Sequence, residues 1–355
     1  MKKRAIGKKT VLIGLALITS LSMVVVGCAK KSTASNTTGT VTDQLKPDSD
    51  GLIPIKTWSR TNCASTPWVV ADQKGFLKKY GLKVDYTGET QSTQQIPSIL
   101  NGNNYIGEFH PNTYAVAIAG GADLIGVGVN GADPTPDIDP KYRHMWWFVS
   151  KKTADAGVKT YADLVKYQKS LGRKLKFSTG AANICTDFEG NVIADKVGLK
   201  RSDIEWVTMP DVQALQALQQ NLLDVSAVHP PYFKGMEEAG NVKIADTADT
   251  KLGETAGLTY YVVDKTWAEK NPNVTKKLVK AMFEAQVWAN QHPTEAADLT
   301  AKHIGQPVSG SHYYSNSLKI DDATWVKPWI TDLENNGSIP KGKVKWTDLV
   351  TTKYQ

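Results

Sequence analysis

From Ile53 onward, short runs of alternating apolar and polar residues are followed by longer stretches whose apolar positions recur three and four apart, the grammar of strands and helices in turn. The clearest case comes first. Ile55-Lys56-Thr57-Trp58 reads as a strand, Ser59-Arg60-Thr61-Asn62-Cys63-Ala64 as a polar loop, and the stretch from Pro67 as a helix. Ser65 or Thr66 is placed to cap that helix, and Pro67 stands at a first-turn position where its missing N–H costs nothing. Val69, Val70, Phe76 and Leu77 keep to one face, Lys78 and Lys79 complement the C-terminal dipole, and Gly81 stops the helix before the strand Leu82-Lys83-Val84. Ligands of such β-α-β units lie beyond the C-terminal end of the strand, where the next helix presents unpaired N–H groups.

The same grammar then occurs twice. After strand Lys83 to Thr87 come a helix over Thr93 to Leu100, a strand Tyr105 to Phe109 ended by His110-Pro111, a helix Thr113 to Ala119 and a strand Leu124 to Val129. The Pro/Asp-rich stretch from Asp133 to Pro140 interrupts the alternation and marks a crossing. Met145 to Val149 restarts it as a strand, on which Trp146 and Trp147 are expected to point to opposite faces, one into a core and one toward a cleft. A strand Leu175 to Ser178, a loop to Cys185 and a capping box Thr186-Asp187-Phe188-Glu189 follow, opening a helix to Val197. Strands Ile204 to Met209 and Asp224 to Val228 flank a helix Val212 to Leu222 that Asp211 can cap, and His229-Pro230-Pro231 ends the last. Leu258 to Val263 is the return strand, and the periodic helix Val274 to Asn290 is expected to lead back over the first half. The fold class expected is α/β with mainly parallel sheets, in two lobes: 51–140 plus 258–355, and 141–257, with a ligand cleft between them.

The N-terminus follows a different pattern. Lys2, Lys3, Arg4, Lys8 and Lys9 precede an apolar run from Val11 to Val26, the layout of an export signal over 1–27. Val25-Val26-Gly27-Cys28 fits a bacterial lipobox, which makes Cys28 the lipidated residue and places the protein on the outer face of the cell membrane. Residues 28–50 are rich in Ser, Thr, Lys and Asn and too poor in apolar side chains to fold, so they read as a flexible tether. The signal's five basic residues account for five of the seven net positive charges of the full chain, leaving +2 on the remainder. No basic stripe with interleaved aromatics remains, and nucleic acid is excluded as a partner.

The run Gly75-Phe76-Leu77-Lys78-Lys79-Tyr80-Gly81-Leu82-Lys83-Val84 resembles a signature near the start of substrate-binding proteins of the nitrate, sulfonate, taurine and thiamine-precursor importers. Asn271-Pro272 and the later Ala285-Gln286-Val287-Trp288 resemble that group's long helix, and the resemblance extends from Ile53 to the C-terminus. It implies a type II periplasmic-binding-protein-like fold and a receptor that hands a small solute to a membrane permease driven by a separate ATPase. It also implies three ligand loops in the first lobe, at 60–66, 88–90 and 108–113, and one in the second at 183–186. The chain departs from the group at Gly180-Ala181-Ala182-Asn183 and at His229-Pro230-Pro231.

Residues at strand ends and helix starts supply the candidate ligand contacts: Trp58, Arg60, Asn62, Ser65, Thr66, Glu89, Thr90, Glu108, His110, Asn112, Thr113, Asn183, Cys185, Thr186 and His229. Arg60 and helix N-termini suit a sulfonate or nitrate, whereas inward carboxylates at Glu89 and Glu108 suit an amine-bearing or aromatic heterocycle such as a thiamine-pyrimidine precursor. Trp68 belongs to a core, and a Cys63–Cys185 bridge is not expected. His110, His144, His229, His292, His303 and His312 show no metal-ligand spacing, and neither a nucleophile elbow nor a phosphate loop occurs. The expectation is a binding protein without metal or cofactor, not an enzyme; a pyrimidine-precursor synthase on the same fold and a sensory module are the alternatives.

Overall fold

Alternate burial of Ile53, Ile55 and Thr57 sets the opening strand, β1 (Ile53–Ser59), against its parallel neighbour β2 (Leu82–Glu89). The computed structural model describes residues 42–305, 307–308, 313–317 and 323–355; the export signal, Cys28 and the tether up to residue 41 lie outside the described residues. Between β1 and β2 runs the helix Thr66–Gln73, which neither Ser65 nor Thr66 caps. A short 3-10 turn, Cys63–Ser65, precedes it and moves the capping role back to Asn62, whose side chain accepts from Ala64 N–H at 3.0 Å. Ser65 Oγ instead donates to the Arg60 carbonyl (2.7 Å), and Thr66 Oγ1 shares a hydrogen bond with Thr300 (2.6 Å).

The remaining strands are β3 (Ile106–Phe109), β4 (Leu124–Val129), β5 (Trp146–Val149), β6 (Leu175–Thr179), β7 (Ile204–Thr208), β8 (Ser226–Val228), β9 (Val242–Asp246) and β10 (Tyr260–Asp264). β3, β10 and β4 are hydrogen-bonded in that order, and Tyr105 N–H to the Lys56 carbonyl (2.9 Å) ties β3 to β1. β8, β5 and β9 form the counterpart, joined to the parallel pair β6 and β7 through a Phe177–Val225 bridge. Both lobes thus carry the order second, first, third, crossing strand, fourth. The strand that follows each crossing, β5 or β10, runs antiparallel to both its neighbours, whereas β1 runs parallel to β2, β3 to β4, and β6 to β7, β8 and β9. The parallel expectation therefore holds apart from one strand per sheet, which enters from the opposite lobe and so arrives reversed.

The crossing is pinned by its own composition. Asp133, 1% exposed, accepts from His144 N–H (2.9 Å), Arg143 Nη1 (2.9 Å) and Thr247 Oγ1 (2.6 Å), fixing the Pro/Asp-rich stretch to the start of β5 and the end of β9. Trp146 and Trp147 do point to opposite faces of β5, but both are buried in apolar clusters and neither lines a cleft. Trp146 stacks on Phe233, with centroids 4.2 Å apart, and that packing claims the face expected to reach the ligand.

Trp58 lies over Gly107, where an added Cβ meets the indole at 2.0 Å. Gly107→Ala is expected to lower stability by about 1–3 kcal/mol through overpacking, read as a fall in the urea midpoint at unchanged slope.

The helix Pro272–Gln291 covers the first lobe, burying Leu278, Met282 and Ala285 in the cluster that holds Ile55 and Trp68. The helix Ala323–Asn335 does more than return over that lobe. Val326, Ile330 and Leu333 pack with Tyr260 and Val129 of the first lobe, while Trp329 packs among the residues of the second. No helix among the described residues is long and apolar enough to cross a membrane.

Candidate functional site

The C-terminal ends of the central strands meet where the lobes touch. β3 delivers His110, β8 delivers His229, the turn before β5 delivers His144, and the helix Cys185–Val197 after β6 begins with Cys185. The rings of His110 and His144 lie 4.8 Å apart and those of His144 and His229 4.9 Å apart, each pair edge-on. Cys185 Sγ lies 3.3 Å from His229 Nε2. His110 Nδ1 lies 2.8 Å from the Leu258 carbonyl and His229 Nδ1 lies 2.6 Å from Asp211 Oδ2. Because a carbonyl or carboxylate only accepts, both rings carry the proton on Nδ1 and turn Nε2 toward the seam. Trp329 stacks on His110 (5.2 Å) and on Phe188 (4.0 Å), closing one side.

Hydrogen bonds cross the seam directly. Asn112 Nδ2 donates to the Ile184 carbonyl (2.9 Å), Thr113 Oγ1 to the Asn183 carbonyl (3.3 Å), Cys63 N–H to the Pro230 carbonyl (3.2 Å) and Tyr232 OH to the Thr61 carbonyl (3.3 Å). Asn183 sits at φ +58°, a left-handed conformation its short amide side chain tolerates, and its Oδ1 accepts from Ser338. The capping box expected at Thr186 is shifted: the helix begins at Cys185, and Asp187 accepts from the N–H groups of Asn183 and Ile184 (both 2.8 Å). Thr186 is therefore inside the first turn, and buried. Asp211 likewise lies inside its helix, Asp211–Gln219, and serves His229 instead of a cap.

Several expected contacts are engaged elsewhere. Arg60 Nε and Nη2 donate to the two Glu108 carboxylate oxygens (2.7 and 3.0 Å), while Nη1 and Nη2 also donate to the Trp58 carbonyl and Thr57 Oγ1. Trp68, buried as expected, donates its indole N–H to Glu108 as well. Arg60 and Glu108 thus neutralise each other inside the first lobe, beneath Trp58. Glu89 is exposed and Thr90 half-buried at the far end of β2. The structure brings together His110, Asn112, Thr113, Asn183, Cys185, Thr186 and His229, and adds His144, Asp211, Phe188, Glu189 and Trp329. Of these, Asp211 stood out in the sequence as a polar residue at a helix start and Phe188 and Glu189 as members of the expected capping box, whereas His144 and Trp329 carried no signal for the site.

Two groups at the seam are strongly perturbed. Burial pushes the Cys185 thiol well above its ordinary range, with the Glu189 carboxylate adding to the effect. Burial does the same to the Glu189 carboxyl, reinforced by Asp133 and Asp187. Cys185, His229 and Asp211 have the connectivity of a nucleophile, base and orienting carboxylate, yet a thiol held neutral is a poor nucleophile. Cys63 and Cys185 are both buried, and no disulfide joins them.

The sequence model of the NMT1-like family matches residues 59–305. A binding protein of Brucella abortus (strain 2308) is 22% identical over 237 residues, 66% of this chain and 66% of its own, so the chain spans just under two thirds of that relative. The crystal structure of the periplasmic aliphatic sulphonate binding protein SsuA from Escherichia coli superposes with a TM-score of 0.64 at 20% identity, covering 84% of this chain and 92% of that one. The periplasmic nitrate-binding protein NrtA from Synechocystis PCC 6803 gives 0.68 at 13% identity over 85% and 87%. The desulfurization enzyme DSZB is a more distant neighbour, at 0.55 and 12% identity over 83% and 96%. At these identities the likeness is one of fold, the two-lobed arrangement of periplasmic binding proteins.

Proposed function

The chain belongs to the NMT1-like family, and from that premise we propose that it is the extracytoplasmic solute-binding receptor of an ABC importer, held to the outer face of the membrane through Cys28. Its lobes, 51–140 plus 258–355 and 141–257, close on a small solute and present it to a permease powered by a separate ATPase. The observation that carries this reading is the seam itself. Two sheets of like order aim the helices after β3 and β6 at each other, and side chains of one lobe bond to backbone carbonyls of the other. A solute that touches both lobes only when they are closed favours the closed state by that difference in contact.

For the solute class, the nitrate, sulfonate and taurine group is our reading, supported by the names of the solved neighbours. An aromatic or amine-bearing heterocycle is the second reading, favoured by the cluster of aromatic and imidazole rings at the seam. We read the chain as a binding protein, a reading supported by the binding proteins it resembles in sequence and fold.

A thermal-shift screen of alkanesulfonates, nitrate, taurine and pyrimidines should raise the midpoint for one class. With that solute, Asn112→Ala is expected to weaken calorimetric affinity about tenfold, the worth of one hydrogen bond at the upper end of its range. If no compound of either class shifts the midpoint, or if Asn112→Ala binds as tightly as the parent, the reading fails.

A further inference from the structure

We propose that the seam between the lobes is a transition-metal site in which His110, His144, Cys185 and His229 bind one cation. Sequence spacing conceals it, because the donors come from four separate segments. In the fold, one donor atom each of His110, His144 and Cys185 lie within 4.8 Å of one another, and His229 Nε2 stands 3.3 Å from Cys185 Sγ. A tetrahedral site with nitrogen and sulfur ligands needs donors roughly 3.3–3.8 Å apart. The four side chains therefore require an inward movement of about 1 Å to reach coordinating distance.

The surroundings are those that metal-binding imidazoles require. Such a ring gives its other N–H to a carboxylate or carbonyl, which fixes the tautomer and strengthens the ligand. His110 makes that bond to the Leu258 carbonyl and His229 makes it to Asp211. Beside His144 stands Glu189, fully buried, with Oε1 at 3.9 Å from His144 Nε2 and neither oxygen hydrogen-bonded. A wholly enclosed carboxyl group without a partner is costly to keep. Coordination of His144 through Nδ1 would turn its Nε2–H onto Glu189 and remove that cost.

Three imidazoles and one thiolate select a borderline-soft cation such as zinc(II) or cobalt(II) over magnesium or calcium, which want oxygen. As the metal–sulfur bond forms, the thiol proton passes to solvent, so each ion bound releases one proton from Cys185. His110 comes from the first lobe and Cys185 and His229 from the second, so the ion draws the lobes together. The dication also supplies the positive charge that Arg60, spent on Glu108, withholds from the seam. The inference rests on these side chains and stands apart from the import role.

The test uses the full chain, stripped with a chelator and titrated with zinc(II) against a chromophoric competitor, then with cobalt(II) in the spectrophotometer. One equivalent should bind, and cobalt should give the intense visible bands of a tetrahedral site together with a thiolate-to-metal charge-transfer band in the near ultraviolet. Cys185→Ser should lose that band, while Cys63→Ser keeps it. Asp211→Asn should keep the band and weaken zinc by about 10–100-fold, the usual cost of removing a ligand's outer partner, and His110→Gln by more. Far-ultraviolet circular dichroism shows that each variant is folded. Absence of the charge-transfer band from the parent chain, its persistence in Cys185→Ser, or zinc affinity unchanged in both Cys185→Ser and His110→Gln overturns the site. Solute calorimetry on the stripped chain separates the two proposals: solute binding without a metal band leaves the receptor standing and removes the metal alone.

Discussion

Arg60→Ala is expected to cost about 3–5 kcal/mol of stability, the usual penalty for breaking one side of a buried ion pair. The Arg60 and Glu108 side chains are 4% and 6% exposed, and Nε and Nη2 of Arg60 meet both carboxylate oxygens in a two-point fork. Its remaining bonds go to the Trp58 carbonyl and Thr57, and its plane lies over the rings of Trp58 and Trp68 at about 5 Å. Truncation leaves the Glu108 carboxylate with only the Trp68 indole N–H in a closed apolar setting. Replacing both partners with apolar residues, Arg60→Met with Glu108→Leu, should restore most of the loss, because no charge then remains unpaired. Urea unfolding of the two variants gives the contrast. A stable Arg60→Ala variant with a weakened solute affinity would show instead that the guanidinium faces the ligand.

The same pair shows how far one sequence carries. Arg60 and Glu108 stand at the ends of adjacent strands, where each alone reads as a ligand contact, and alternation places both at the right edge of the sheet. Alternation cannot say that they meet, because register between non-consecutive segments is set by packing. The strand-helix grammar, the repeat and the Pro/Asp crossing were legible because each is written in local periodicity and turn chemistry. Caps were legible only to within a turn: a 3-10 turn at Cys63–Ser65 handed one cap to Asn62, and a start at Cys185 put Thr186 inside its helix. His144 and Asp211 reach the seam from elements far from Cys185 in sequence, and no spacing rule joins them to it; Glu189 lies one turn along the helix that Cys185 opens. Trp329 was out of reach for the same reason. Its helix has apolar residues enough for either lobe, and which lobes it joins is decided by tertiary contact alone.

That helix carries the second large effect. Trp329→Ala is expected to lower stability by about 3–5 kcal/mol, as truncations of buried aromatic residues do, and to let the lobes separate. The indole is fully buried, stacks on Phe188 of the second lobe and on His110 of the first, and donates Nε1–H to the Thr255 carbonyl at 3.2 Å. Neighbouring Val326, Ile330 and Leu333 hold the helix to the first lobe, and Asp332 reaches Arg201 of the second at 2.6 Å. A core truncation confined to one lobe would lower the unfolding midpoint and leave the molecular envelope unchanged. Loss of a side chain that packs on both should also weaken the contact that keeps them shut, so the radius of gyration in solution should rise under conditions where circular dichroism shows a folded chain. Trp329→Phe retains an aromatic face but not the donor, and should lose on the order of 1–3 kcal/mol as the Thr255 carbonyl gives up its bond. If Trp329→Ala unfolds earlier but scatters like the parent, the helix is cladding for a core and the closed seam is held by Asn112 and Thr113 without it.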